Sequence, residues 1–326
     1  MKYLVTGGAG FIGSNLADSL LNDGHEIVVI DNFNDYYDTT IKEINVSQHE
    51  NNAHYKLYRF DIEDLPLLKN VFANNDFDAV IHLAANAGVR PSIARPAAYF
   101  RSNVLGTVNI LECLKESTCK KLVMASSSSV YGNCEAEKFS EDLNVSKPIS
   151  PYAATKLACE QIAYTYHHLY GINVVALRFF TVYGPRQRPD LAINKFTRLI
   201  TENKPVQIYG DWNKSKRDYT FIDDIVDGIK SSIVYDKTGY EIINLGGGEP
   251  VTLKRMIETI EKTLGKKAII EHLPMQPGDV DKTVCDWTKA NLLLGYKPKT
   301  SFEQGIAKFI NWKKQDLYNL LSEIAA

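Results

Sequence analysis

The sequence predicts an α/β protein built on a doubly wound parallel sheet, and three observations carry that prediction. Short β-rich runs alternate with amphipathic stretches through the first half of the chain, a glycine run joins the first strand to the first helix, and an acid, Asp31, closes the second strand. Strands buried on both faces of a parallel sheet form near-continuous apolar runs, and helices cross between them. Tyr3–Val5 opens the chain in this way, stops at the glycines and passes directly into a helix beginning near Phe11. Glu26–Ile30 is β-branched almost throughout, and Tyr55–Phe60, Ala79–Leu83, Lys121–Ala125 and Asn173–Phe179 follow as further strands, with helices expected from near Asp64, Ala97 and Tyr152. Beyond about residue 180 the pattern is mixed. A Pro/Arg-rich loop from Gly184 to Asp190 precedes short strands at Val206–Tyr209 and Glu241–Leu245 and helices near Asp224, Leu253 and Phe302.

At 326 residues the chain can bury a sizeable core without staples. Its 44% hydrophobic and 23% charged composition and net charge of -2 give no basic track for nucleic acid. No apolar run approaches the roughly 20 residues of a membrane helix, and Met1 leads straight into a strand, so a cytoplasmic protein without a leader or membrane partner is expected. Five cysteines, odd in number and without a C-x-x-C pair, indicate neither a disulfide framework nor a metal site.

Gly7-Gly-Ala-Gly10-Phe-Ile-Gly13 follows the first strand and opens the first helix. Glycine permits the tight turn and the close approach of a pyrophosphate to the helix N-terminus. About twenty residues on, Asp31 stands where an acid accepts hydrogen bonds from an adenosine ribose and repels a 2′-phosphate, which favours NAD over NADP. This is a Rossmann arrangement. Asp61 and His82-Leu83-Ala84-Ala85 end further strands at the edge where such sheets bind ligands. The cofactor-binding candidates are Gly7, Gly10, Phe11, Ile12, Gly13, Asp31, Asn32, Asp61, Ile62, Leu83, Ala84, Ala85, Asn103, Tyr152, Lys156 and Phe179. The expected organisation is an NAD-binding domain over residues 1–180, with a returning segment near 218–245, and a smaller mixed α/β substrate domain from 181–217 and 246–326.

Tyr152 and Lys156 share a helix face at i and i+4, with Pro151 as a helix start. A phenol is a poor base at neutral pH, but a neighbouring ammonium and an oxidised nicotinamide both favour the phenolate, which can then take a proton from a sugar hydroxyl. Ser126-Ser-Ser-Ser129-Val-Tyr-Gly132 follows the fifth strand, and Ser127 is the hydroxyl best placed to bond the reacting oxygen.

The glycine run, Asp31, the serine run, Tyr152/Lys156, Arg178-Phe-Phe-Thr-Val-Tyr-Gly-Pro185, Arg217-Asp-Tyr219 and Gly278-Asp-Val280 together resemble the extended short-chain dehydrogenase/reductases that act on nucleoside-diphosphate sugars, from Met1 to about Lys308. Ala87–Arg90, Phe179–Asp190 and Met275–Val280 are most similar to the UDP-glucuronate 4-epimerase branch. The 4,6-dehydratases of that family carry Asp-Glu where Ser128 and Ser129 stand, and the decarboxylases carry Glu at Ser129, so this sequence departs from both patterns.

The resemblance implies 4-epimerisation of UDP-glucuronate to UDP-galacturonate. Tyr152 would remove the 4-hydroxyl proton as hydride passes to a tightly held, recycled NAD, Lys156 would hold the nicotinamide ribose, and Ser127 would steady the C4 oxygen of a transient 4-keto sugar. That ketone is β to a carboxylate and prone to lose carbon dioxide. Arg90, Thr181 and Arg188 are the candidates for gripping the carboxylate, a diphosphate contact or a solvated loop being the alternatives for the two arginines, and Ser127 and Ser128 are further substrate-binding candidates. Arg217 resembles a diphosphate ligand, Tyr209 a residue flanking uracil and Asp279 a ligand of the uridine ribose. Gln276 stands where related UDP-galactose epimerases carry an arginine, and Thr283 where some carry a bulky tyrosine. A roomier pocket leaves UDP-glucose, UDP-N-acetylhexosamines or their uronates open as substrates. A non-catalytic NAD-binding module and a net dehydrogenase are the other classes to separate. The family also implies a homodimer through a four-helix bundle of helices near Ala97–Ser117 and Tyr152–Tyr170.

Overall fold

The computed structural model describes residues 1–236, 239–274 and 282–324, with side chains as far as residue 315. The chain opens with β1 (Lys2–Thr6), α1 (Phe11–Asn22), β2 (Glu26–Asp31), α2 (Thr39–Ser47), β3 (Tyr55–Arg59), α3 (Leu65–Ala73), β4 (Ala79–His82) and α4 (Val89–Ala94). The helix expected near Ala97 is a composite. A short α5 (Pro96–Tyr99) runs through a π-helical turn (Phe100–Leu105) into α6 (Gly106–Glu116). β5 (Lys121–Ser127) leads through a 3-10 turn (Ser128–Tyr131) towards α7 (Pro151–Tyr170), where the Ser150 hydroxyl caps the helix by accepting from Ala153 N.

β6 (Asn173–Phe179), β7 (Thr181–Tyr183), α8 (Ala192–Thr201), β8 (Pro205–Tyr209), β9 (Lys216–Phe221), α9 (Ile222–Val234) and β10 (Tyr240–Leu245) follow, then β11 (Pro250–Thr252), α10 (Leu253–Leu264), β12 (Ile269–Leu273), α11 (Thr288–Leu294) and α12 (Phe302–Ile324). Among the described residues seven parallel strands form one sheet in the order β3-β2-β1-β4-β5-β6-β10, the doubly wound order of a Rossmann fold with one strand added. β7 and β11 flank β9 in a second sheet, and β8 pairs with β12 in a third.

The period of two along each strand divides the core between the two faces of the main sheet. Tyr3, Val5, Ile27, Val29, Val123 and Leu177 enter one apolar cluster with Leu16 and Leu20 of α1 and Ile225 and Ile229 of α9. Leu4, Val28, Ile30, Leu122, Met124 and Val174 enter the other, against Leu68 of α3, Ile110 and Leu114 of α6 and Ala163 of α7. A charged bridge runs through this packing. Arg178 on β6 donates from Nε and Nη2 to Glu160 on α7 at 2.9 and 2.8 Å, and the Ser126 hydroxyl donates to Glu160 Oε1 at 2.5 Å. Arg178 Nη1 also donates to the Tyr131 hydroxyl, which itself donates to Asn244 Oδ1 on β10 at 2.7 Å. The five cysteines are free, and among the described residues no helix is long and apolar enough to cross a membrane.

Candidate active site

Strand order reverses between β1 and β4, and the crevice at such a reversal is where open α/β sheets bind ligands. A cleft of about 330 Å³ occupies it. Gly7 leaves β1 with φ +71, and a Cβ there would stand 2.8 Å from the Ala84 backbone nitrogen. A Cβ on Gly13 would come within 2.3 Å of the Gly7 carbonyl oxygen. Only glycine lets strand, turn and helix close up in this way. α1 then begins after Gly10 with no side-chain cap, so its N-terminus faces the cleft with backbone N–H groups for an anion. This cradle fits the pyrophosphate of a dinucleotide.

Asp31 accepts from Ala9 N on one oxygen and from Phe33 N on the other, and the Lys42 ammonium of α2 lies 3.2 Å from it, both side chains being almost fully buried. Beneath the cleft, His82 lies between the hydroxyls of Thr6 (2.7 Å) and Thr107 (3.0 Å). Burial first, and the Lys156 charge second, push it down to about 3, so it is a neutral imidazole at any physiological pH.

Tyr152 and Lys156 project from α7 into the cleft opposite Ser127 at the end of β5. The Lys156 ammonium is fixed by donating to the Ala125 carbonyl at 2.8 Å. The Tyr152 ring meets Tyr99 edge-on, with centroids 6.1 Å apart. Ser127 accepts from Ser129 N and donates to the Ser129 hydroxyl, which holds its oxygen at the mouth of the 3-10 turn. A phenol, an ammonium and a hydroxyl thus line one cavity.

Of the expected cofactor residues all but Asn103 line this cleft. Asn103 is buried behind it, exchanging two hydrogen bonds with the Asn86 backbone and donating to the Thr155 hydroxyl, which ties the loop after β4 to α7. Thr181 and Arg188 line the cleft as well. Arg188 is engaged by Asp190, Nε to Oδ1 at 3.0 Å and Nη2 to Oδ2 at 2.8 Å, and its guanidinium carbon stands 4.9 Å from the centre of the Tyr36 ring.

Ser128, Arg90, Tyr209 and Arg217 lie outside the cleft lining. Arg90, on α4, stacks over Tyr209 at 5.7 Å, which joins the two across the space between α4 and β8. Arg217 sits on β9 and donates to the Lys216 carbonyl. Beside it Asp218 is fully buried and gathers the backbone N–H groups of Gly247, Gly248 and Cys285; burial pushes its carboxyl up to about 6. Thr283 is buried, its hydroxyl accepting from Asp218 N. Gln276 and Asp279 lie outside the described residues. Lys42, Tyr36, Tyr37 and Asn34 also line the cleft and were not anticipated, since they reach it from the loop and helix after β2 with no motif to mark them.

The protein-family model described as GDP-mannose 4,6 dehydratase matches residues 4–309. A UDP-glucuronate 4-epimerase of Thermodesulfobacterium geofontis is 46% identical over 97% of this chain and 97% of its own length. The solved structure of a UDP-glucuronic acid 4-epimerase from Bacillus cereus, in complex with UDP-glucuronic acid and NAD, superposes with a TM-score of 0.89 at 39% identity, covering 97% of this chain and 99% of that one. A UDP-N-acetylglucosamine 4-epimerase from Methanobrevibacter ruminantium M1, in complex with UDP-N-acetylmuramic acid, gives 0.88 at 31% identity over 97% and 98%. By sequence match, sheet order and the contents of its cleft, the chain belongs to the GDP-mannose 4,6-dehydratase-like family of short-chain dehydrogenase/reductases.

Proposed function

We propose that this chain is an NAD-dependent 4-epimerase that interconverts UDP-glucuronate and UDP-galacturonate. The observation that carries this reading is that one cleft, in a chain 46% identical to a UDP-glucuronate 4-epimerase, holds Tyr152, Lys156 and Ser127 together with Arg188 and Thr181. NAD, when bound, would accept the C4 hydride and return it after the keto sugar has turned its other face to the cofactor. Tyr152 takes the proton of the 4-hydroxyl and gives it back, Lys156 holds the nicotinamide ribose, and the Ser127 hydroxyl, turned away from Ser129, donates to the C4 oxygen. Arg188 and Thr181 hold the C6 carboxylate in an orientation that keeps carbon dioxide from leaving the β-keto acid. Because Asp190 occupies the Nε–Nη2 edge of Arg188, the carboxylate binds by another edge of the guanidinium or displaces the exposed Asp190.

Arg90 on Tyr209, together with Arg217 and Asp279, serves the uridine diphosphate end. In this division residues 1–180 with the segment near 218–245 bind NAD, and residues 181–217 and 246–326 bind the sugar nucleotide. Ser128 and Ser129 supply neither the acid nor the base of a dehydratase. A second reading, a 4-epimerase of UDP-glucose or UDP-N-acetylhexosamines, is favoured by the small Thr283, whose hydroxyl is turned to the Asp218 backbone. Incubation with UDP-glucuronate and NMR separation of the sugar products tests the assignment; conversion of neutral or N-acetylated UDP-sugars at equal or higher kcat/KM overturns it.

The same reading carries a cytoplasmic location and a homodimer. Phe100 and Leu105 on the π-helical turn and Tyr164 and Leu169 on α7 are exposed apolar residues on the two helices of the expected bundle. A monomeric mass by light scattering at micromolar concentration refutes the dimer.

A further inference from the structure

The buried cation beside Asp31 is not used by the chemistry above. Lys42 is 5% exposed and Asp31 6%, so the pair sits in a low-dielectric pocket and contributes a net charge near zero where an acid alone would contribute -1. The two partners are unequally supported. Without Lys42, Asp31 keeps the Ala9 and Phe33 backbone N–H groups at 3.2 and 2.9 Å. Without Asp31, Lys42 keeps the neutral Asn34 Oδ1 at 3.2 Å and the Tyr37 ring at 5.5 Å. Tyr37 supplies no counter-charge, because burial pushes its phenol up to about 12. The other cation near the carboxylate is already neutralised. Arg59 stands opposite Asp31 in the β2–β3 register, half exposed and paired with Glu43 through two 2.7 Å bonds.

We propose that Lys42 is a latent phosphate-binding residue of the adenosine-ribose subsite, and that Asp31 excludes NADP in part by holding this ammonium as well as by its own charge. Asp31 occupies Lys42 and thereby withholds it from a 2′-phosphate. Removal of the carboxylate leaves a buried ammonium in the cleft wall whose strongest available partner is that phosphate. The inference rests on the dinucleotide reading of the cleft and is independent of which sugar is epimerised. A purely structural role for Lys42, pinning α2 against β2, makes a different prediction, because it gives the ammonium no influence on the dinucleotide.

The test uses the wild type, Asp31→Asn, Lys42→Met and the double variant, with Asp31→Ser as a second background should Asp31→Asn fold poorly. Each purified protein is heat-denatured, the released dinucleotide is identified by mass spectrometry, and the stabilisation by added NAD+ and NADP+ is read from thermal melts. The wild type and Lys42→Met release NAD(H) and gain nothing from NADP+. Asp31→Asn binds NADP+ about tenfold to a hundredfold more tightly than the double variant does, as one charge-assisted contact provides. Equal NADP+ binding by Asp31→Asn and the double variant, or none by a folded Asp31→Asn that is still stabilised by NAD+, overturns the role of Lys42. A wild type that neither releases NAD(H) nor responds to NAD+ overturns the dinucleotide reading and this inference with it.

Discussion

Glu160→Gln removes one charge from the bridge that joins α7 to β5, β6 and β10 while keeping its shape. Glu160 and Arg178 are 0% and 2% exposed, and Glu160 accepts three hydrogen bonds of 2.5 to 2.9 Å from Ser126 and Arg178. A glutamine turns an NH2 towards these donors and leaves the guanidinium unbalanced, and breaking a buried pair from one side costs about 3–5 kcal/mol. At about 2.1 cal/mol/K per residue, unfolding 326 residues carries an entropy of about 0.7 kcal/mol/K. The melting temperature therefore falls by about 4–7 °C. The double variant Glu160→Leu/Arg178→Met, which buries no charge, recovers most of that loss. Glu160 lies one turn beyond Lys156 on the same helix, so kcat falls along with stability in the single variant. Calorimetry of the three proteins checks this, and a shift of less than 1 °C for Glu160→Gln, or a double variant worse than the single, refutes the reasoning.

Tyr152→Phe lowers epimerisation about 10²–10⁴-fold while bound NAD, measured by absorbance after heat release, stays stoichiometric; turnover above about a tenth of wild type contradicts the base role. Arg188→Ala narrows the preference for UDP-glucuronate over UDP-glucose by about tenfold to a hundredfold, and NMR detects UDP-4-keto-pentose as the loosened carboxylate rotates towards decarboxylation. An unchanged preference removes Arg188 from carboxylate binding. His82 is neutral in the fold but charges in the unfolded chain below about pH 6.5, so stability is lost as pH falls from there towards 3, by at most about 1.4 kcal/mol per unit. Asp218, raised to about 6, opposes this between about pH 6 and 4, where the folded protein takes up the proton first. His82→Asn flattens the fall in melting temperature between pH 6.5 and 5, and an unaltered slope rules His82 out as its source.

The main sheet was legible because its inner strands β1, β2, β4, β5 and β6 are buried on both faces and carry their apolar residues in near-continuous runs, while the edge strand β3 alternates Tyr55, Leu57 and the exposed Lys56 and Arg59. α2 was not, and its interior face explains why. The residues it buries include Lys42, reaching Asp31, and Asn45, which donates to the Ala9 carbonyl at 2.9 Å, so a search for apolar periodicity passes over it. Of the strands of the two small sheets β8 was legible at Val206–Tyr209, its buried Val206 and Ile208 alternating with exposed Pro205 and Gln207, whereas β7 and β11, three residues each, are too short for a period of two to declare itself. α8 carries Ile193, Phe196 and Ile200 on one face, a spacing visible in the sequence but preceded by a Pro/Arg-rich loop that offers no cap. Within the cleft, Gly7, Gly13, Asp31, Tyr152 and Lys156 were legible because their spacing is itself the mechanism. The pairing of Arg188 with Asp190, the stack of Arg90 on Tyr209 and the link from Asn103 to Asn86 join side chains whose meeting only the folded chain determines.

The seventh strand of the main sheet comes from well inside the second half of the chain: β10 pairs with β6 along Val174–Phe179, although sixty residues lie between the two. During synthesis on the ribosome this has a timing consequence. Until residue 245 has left the exit tunnel, β6 presents an apolar edge with unpaired backbone groups, and Tyr131 has yet to meet Asn244. At about 5–20 residues per second that edge stays open for several seconds, long enough for a neighbouring nascent chain to add a strand to it. A chain cut near residue 180 keeps the edge open permanently, so the first half made alone accumulates as aggregate, whereas a chain extended past Leu245 closes its own sheet.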